Sequence, residues 1–435
     1  MNAMRGDLAR CTIGVLAVVG ATVGGIAAAP GKAAPAPAGE RIAIDVPVAS
    51  AYQTVHIRIT GLPPGSQATI TSSAHDYAGK LWQARAAFTA DSSGTVDLAK
   101  QAPTSGSYTG VDAMGLVWSM NPGSAAGGSP SFFFLTAHPE AEPSFPINLA
   151  VRDEAGSVTR ATLTRLWMAP GVTHRTLTVP ADGMYGDLYL PTPSAGAVRR
   201  PAVLLFGGSE GGESERYTAA VLASEGYPAL SLAYFGEPGL PSTLTNIPLD
   251  YFADAARLLA RQPEVDPRHV LALGASRGAE AALLLAQNFP DLIHGAILYA
   301  PTAQVNPSFP DGVSIAWTLH GVALAAGMSI PVDHISGPVL PIAGADDAVW
   351  NSPQSATQIS MELDDDRNPY PHKALIYPDA GHGIDAGVDV PSSTSYTYPD
   401  SGYTLEFGGT RKGDAAAQQA AWQRVLALLA SLRQP

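Results

Sequence analysis

Residues 270–288 read Val-Leu-Ala-Leu-Gly-Ala-Ser-Arg-Gly-Ala-Glu-Ala-Ala-Leu-Leu-Leu-Ala-Gln-Asn. The opening Val270–Leu273 is a short apolar run, as expected of a strand buried on both faces. The residues from Arg277 to Asn288 follow a helical pattern. Between them lies Gly274-Ala275-Ser276-Arg277-Gly278, a G-x-S-x-G sequence at a strand-to-helix turn. Such a turn strains the backbone at its serine, and glycines two residues before and after remove the side chains that would clash there. The helix N-terminus adds partial positive charge where an oxyanion would develop.

Outward from this stretch the chain alternates strand and helix. Ala202–Phe206 and Ala229–Tyr234 precede it as apolar strands; Gly295–Tyr299, Val339–Ala343 and Ala374–Tyr377 follow. Helical patterns occupy Asp250–Arg261 and the amphipathic Ala415–Leu432. Alternation of this kind predicts a largely parallel sheet covered on both faces across residues 174–435, with chemistry at the carboxyl ends of the strands. Residues 41–168 read differently. Alternating stretches such as Thr54–Thr60, Gln67–Ser72, Thr95–Leu98 and Ser157–Leu163 are separated by Gly, Pro, Asn and Asp clusters, which predicts a small antiparallel sandwich. The fold class expected is therefore α/β, an α/β-hydrolase domain preceded by an all-β, immunoglobulin-like sandwich.

A nucleophile needs a base and an orienting acid. In this architecture they follow in the order Ser, Asp or Glu, His. Gly344-Ala345-Asp346-Asp347 comes after one strand and Pro378-Asp379-Ala380-Gly381-His382 after the next. Ser276, Asp347 and His382 are the candidate catalytic residues: His382 takes the serine proton, and Asp347 fixes the imidazole tautomer. Asp346 competes with Asp347. A second match, Gly207-Gly208-Ser209-Glu210-Gly211, also follows a strand, but it opens into a loop and resembles a source of oxyanion-hole N–H groups. The backbone of Arg277, with Gly208 or Ser209, is expected to hold the oxyanion. The other histidines read as surface or structural. Asp364-Asp365-Asp366 reads as a solvated turn. The segment Thr302–Ser336, with Phe309, Trp317, Leu319 and Leu324, reads equally as a lid, an acyl-pocket wall or ordinary core.

Composition narrows the partners. The chain has 435 residues with a net charge of −13, which disfavours nucleic acid. Gly and Pro number 44 and 37, implying many turns, and 46% hydrophobic residues supply ample core. The one cysteine, Cys11, excludes a disulfide framework and cysteine catalysis in the body of the protein. No P-loop, dinucleotide fingerprint or metal-spaced His pair occurs, so no cofactor and no metal are expected. Arg5 and Arg10, an uncharged run from Cys11 to Ala29 and the Pro/Ala-rich stretch to Glu40 have the layout of a secretory signal peptide (1–29) and a linker (30–40). The expectation is an exported protein with no membrane span once the leader is removed; an uncleaved anchor is the alternative.

Several ordered motifs resemble the acyl-CoA thioesterase/bile acid-CoA:amino acid N-acyltransferase family. They are Val55–Gly65 (VHIRITGLPPG), Tyr108–Met120 (YTGVDAMGLVWSM), Phe206–Gly212 (FGGSEGG), Ser231–Pro241 (SLAYFGEPGLP), Asn246–Phe252 (NIPLDYF), Gly274–Glu280 (GASRGAE), Gly344–Trp350 (GADDAVW) and Tyr377–His382 (YPDAGH). The resemblance runs from about Glu40 to Leu432. It implies attack on an acyl thioester, an acyl-enzyme, and release of a fatty acid to water or transfer to an amine. Members that conjugate amino acids typically carry Cys at the elbow; Ser276 there favours hydrolysis. The readings to separate are a serine thioesterase, an exported carboxylesterase or lipase-like hydrolase on oxygen esters, an acyltransferase, and a non-catalytic binding module.

Overall fold

The computed structural model describes residues 39–77, 79–122, 143–193, 199–398 and 402–433. The leader, Cys11 and His138 lie outside the described residues.

Eight strands build the central sheet: β1 (Thr173–Leu177), β2 (Tyr185–Leu190), β3 (Arg200–Phe206), β4 (Ala229–Ala233), β5 (Val265–Ala275), β6 (Ala296–Tyr299), β7 (Val339–Gly344) and β8 (Leu375–Tyr377). Their order is β1-β2-β4-β3-β5-β6-β7-β8. The β1–β2 and β2–β4 pairs are antiparallel, and the pairs from β4–β3 to β7–β8 are parallel. The parallel portion agrees with the apolar runs: the side chains of Ala202–Phe206 and Ala296–Tyr299 are all buried, because helices cover both faces. Those helices are α1 (Arg216–Ser224), α2 (Leu249–Ala260), α3 (Arg277–Asn288), α4 (Ser352–Asp365) and α5 (Arg411–Ser431). Every α3 residue before Asn288 is buried, so this helix has no solvent face. Asp364 and Asp365 close α4 rather than forming a free turn.

Before β1 the chain is β-rich. A six-stranded sheet contains Gln67–His75, Leu81–Thr89, Ser144–Arg152 and Val158–Leu166, and a three-stranded sheet contains Arg41–Ile44, Ile57–Thr60 and Val96–Asp97. Burial alternates along Leu81–Thr89, the signature of a sheet with one face inward. Ile57, Ile59, Ile70, Phe88 and Leu149 from both sheets meet in one core, and that core continues into Val203, Leu205, Leu271 and Trp422 of the α/β body. Polar contacts reinforce the junction. The Arg411 guanidinium, at the start of α5, donates to the carbonyl oxygens of Trp118 and Met120, both at 2.6 Å. These buried carbonyls lie at and just beyond the end of the single-turn helix Gly115–Trp118 and have no partner within the helix.

The Thr302–Ser336 segment is tied into the body and leaves the cavity described below to other residues. Trp317 is fully buried, lies tilted at 5.7 Å from Tyr234 and edge-on at 6.1 Å from Phe252, and donates its indole N–H to Glu280 at 2.7 Å. The segment serves as core and brace in these contacts. Among the described residues, no helix is long and apolar enough to cross a membrane.

Candidate active site

Ser276 sits between the end of β5 and the start of α3, with φ 54° and ψ −116°. A non-glycine residue in this left-handed region carries strain and is held there by its surroundings. The flanking glycines show how. A Cβ on Gly274 would lie 2.1 Å from the Gly278 carbonyl oxygen, and one on Gly278 would lie 2.4 Å from Gly207 O and 2.5 Å from Phe206 O. The turn therefore packs backbone against backbone, both within itself and against the loop after β3. Gly278→Ala is expected to cost about 1–3 kcal/mol, since no flexible side chain can yield to the added methyl; urea unfolding of the variant checks this.

His382 follows β8. Its Nδ1 lies 2.8 Å from Asp347 Oδ2, and its backbone N–H donates to Phe407 O at 2.8 Å. Trp350 stands edge-on to the ring at 5.3 Å, and Phe407 lies 5.9 Å away on a tilted plane. The Asp347 side chain is fully enclosed. Its Oδ1 accepts from the N–H groups of Val349 (2.9 Å) and Trp350 (3.2 Å), and its Oδ2 accepts from the Ser352 hydroxyl as well as facing His382. Asp346 is exposed. Ser276, His382, Gly208 and Ser209 line one cavity of about 130 Å³. Among the described residues, His382 is the only histidine bordering it.

The loop after β3 approaches the serine closely: a Cβ on Gly208 would lie 3.1 Å from the Ser276 Cβ. Its donors differ in their engagement. The Gly208 N–H, expected to face an oxyanion, donates to Glu210 Oε1 at 2.8 Å, and the same oxygen accepts from the Ser214 hydroxyl at 2.7 Å. A carboxylate two residues on can fold back to its own loop, which the sequence pattern does not reveal. Ser209 keeps its place on the cavity wall, with its hydroxyl 2.9 Å from the Tyr398 hydroxyl and without the left-handed backbone of Ser276. Arg277 opens α3, where a backbone N–H has no intrahelical partner. Its side chain turns away, donating to Pro307 O (2.6 Å) and Asn306 O (3.1 Å) and pairing with Glu280 at 2.9 Å.

Three more features were not visible in the sequence. Tyr52 and Trp167, from the β-rich part of the chain, form part of the cavity wall. Glu280 is completely buried and accepts from the Asn306 backbone at 2.8 Å as well as from Trp317, so it fixes the start of the helix behind Ser276. Glu210, Glu215 and Asp385 all border the cavity. Burial, with Asp385 nearby, pushes the Glu215 carboxyl up to about 8; burial and Glu210 push Asp385 up to about 6. Burial likewise raises Glu210.

Folded Glu215 thus holds a proton that the unfolded chain has released between its ordinary value of 4.5 and about 8. Its contribution to stability is present at low pH and is lost as pH rises through that window. Glu215→Gln removes the titration. The variant is expected to gain roughly 3–4 kcal/mol on the wild type between pH 5 and pH 8, read from urea midpoints at the two pH values. An equal difference at both would contradict this assignment.

Two family models match the chain. "Acyl-CoA thioester hydrolase/BAAT N-terminal region" covers residues 52–179, and "BAAT / Acyl-CoA thioester hydrolase C terminal" covers 247–310 and 313–432. Acyl-coenzyme A thioesterase 1 of Rattus norvegicus is 29% identical over 399 residues, 86% of this chain and 92% of the relative. Bile acid-CoA:amino acid N-acyltransferase of Mus musculus is 30% identical over 407 residues, 86% of this chain and 93% of the relative. Among solved structures, a thermophilic esterase of Thermogutta terrifontis aligns over 60% of this chain and 93% of its own, at 18% identity and a TM-score of 0.40.

Proposed function

Since the chain belongs to the acyl-CoA thioester hydrolase/BAAT family and is an enzyme of its thioesterase-like hydrolase type, we propose that it hydrolyses an acyl thioester through a covalent intermediate on Ser276. The observation that carries this reading is the left-handed Ser276 on the wall of a cavity shared with His382, whose Nδ1 is held by the enclosed Asp347.

The steps follow from that placement. Ser276 Oγ attacks the thioester carbonyl carbon, and its proton passes to His382 Nε2, the ring nitrogen opposite the one held by Asp347. The oxyanion is met by the N–H groups of Arg277 and Ser209. Gly208 joins them only when its N–H leaves Glu210. The C–S bond breaks, and the leaving sulfur takes the proton from His382. Water then attacks the acyl-enzyme with His382 as base, releasing the carboxylic acid and restoring Ser276. Asp347 stabilises the imidazolium in both halves.

The leader supports a second reading, in which the exported enzyme meets oxygen esters rather than CoA. Export is itself part of the proposal: recovery of a chain lacking Met1–Ala29 from outside the cytoplasm tests it. Acyl-CoA and p-nitrophenyl esters of matched chain length separate the two substrate classes. The expected result is a higher kcat/KM on the thioester. A preference for the oxygen ester selects the second reading, and amide formation with an added amine selects acyl transfer.

A further inference from the structure

The cavity beside Ser276 is acidic, aromatic and without a fixed cation. Tyr52, Trp167, Tyr217 and Tyr396 border it, and all four are buried. Glu210, Glu215 and Asp385 also line it. Behind Tyr52, Glu215 and Asp385 is an inner chamber of about 20 Å³, enough for about one water molecule. Gln418 borders this inner chamber. It is 2% exposed, its Nε2 donates to Gly383 O at 3.0 Å, and its Oε1 has no partner among the described residues. Among the described residues lining the two chambers there is no lysine or arginine.

These surroundings specify a guest. Acceptors buried without a donor are costly, and buried carboxyls hold their protons; burial first, and then the neighbouring carboxyl, displaces Asp385 and Glu215 upward. Tyrosine and tryptophan faces attract a cation, most strongly one with its charge spread over methyl groups that need little hydration. The cavity, about 130 Å³, is close to the ~150 Å³ that accommodates benzene elsewhere, so it has room for a compact group.

Resting on the serine-hydrolase reading above, we infer that the cavity formed by Tyr52, Trp167, Tyr217, Glu215 and Asp385 binds a compact alkylammonium group of the substrate. Asp385 supplies the counter-charge, the aromatic rings supply the walls, and Glu215 with Gln418 accepts from water or N–H groups behind them. A terminal carboxylate is excluded by the same wall. The ammonium belongs either to the acyl group or to the alcohol or thiol part of the ester.

Two matched pairs test this with the purified protein. One pair is a butyryl thioester ending in trimethylammonium and its neutral tert-butyl isostere; the other is butyrylcholine and its tert-butyl isostere. The expected result is a kcat/KM at least about tenfold higher for the cationic member of one pair, and that pair identifies which side of the ester carries the charge. Asp385→Asn brings the ratio close to one, and a succinyl thioester is slower than butyryl. A measurement independent of any variant is inhibition of p-nitrophenyl acetate hydrolysis: tetramethylammonium competes with this ester, and tert-butanol at the same concentration does not. Equal rates within both pairs, with no inhibition by tetramethylammonium, overturn the inference while Ser276-dependent ester hydrolysis stands. Turnover that persists in Ser276→Ala overturns the hydrolase reading beneath it.

Discussion

Ser276→Ala is expected to lower kcat on p-nitrophenyl butyrate and on acyl-CoA by about four to six orders of magnitude, with thermal unfolding close to that of the wild type. The loss is large because the hydroxyl is the attacking atom, and neither His382 nor the N–H donors can replace it. Stability is retained because alanine meets the same left-handed strain at φ 54° that serine already bears, and the Gly274 and Gly278 contacts that enforce the turn remain. Ser209→Ala is the internal contrast. It removes the hydroxyl that contacts Tyr398 across the cavity and leaves the Ser276 turn untouched, so its effect on kcat is smaller by orders of magnitude. Parallel assays of both variants on one substrate check the assignment.

Glu280→Ala is expected to destabilise the protein by about 3–5 kcal/mol, the cost of leaving one buried partner of an ion pair uncompensated. The Glu280 carboxylate is completely enclosed and faces four groups: the Arg277 guanidinium at 2.9 Å, Trp317 Nε1 at 2.7 Å, Asn306 N at 2.8 Å and Asn306 Nδ2 at 3.1 Å. Removal strands a cation that is itself only 6% exposed and leaves an indole N–H without an acceptor. The same carboxylate connects the Thr302–Ser336 segment to the first turn of α3, so a shift there moves the Arg277 N–H relative to Ser276. Activity therefore falls together with stability. Glu280→Gln keeps acceptance from Trp317 and lies between the two. Denaturant midpoints with kcat on one ester measure both effects.

The α/β body is legible in the sequence because its signals are local. Apolar runs such as Ala202–Phe206 mark buried parallel strands, and glycines at 274 and 278 mark a turn in which a Cβ has no room. The order of Ser276, Asp347 and His382 along the chain follows from strand order, and the structure brings the loops after β7 and β8 together. What stayed hidden depends on long-range approach. Tyr52 reaches the cavity from a segment more than two hundred residues before Ser276, and no periodicity marks it. Glu210 lies within a polar glycine loop whose pattern does not say which way the carboxylate turns, and it folds onto the Gly208 N–H. The apolar residues of 302–336 suit a lid and a core equally; the Trp317–Glu280 hydrogen bond, which no local pattern announces, ties them into the core. Antiparallel β1 and β2 carry too few residues in alternation to be told from the parallel strands that follow.

If Ser276 carries the acyl group, covalent capture reads it directly. The purified protein is treated with an alkyl fluorophosphonate, and the modified peptide is mapped by mass spectrometry. The expected result is one adduct per chain on Ser276, loss of esterase activity in step with labelling, and no adduct in Ser276→Ala. Stoichiometric labelling of Ser209, or full activity in a protein whose Ser276 is modified, would contradict it.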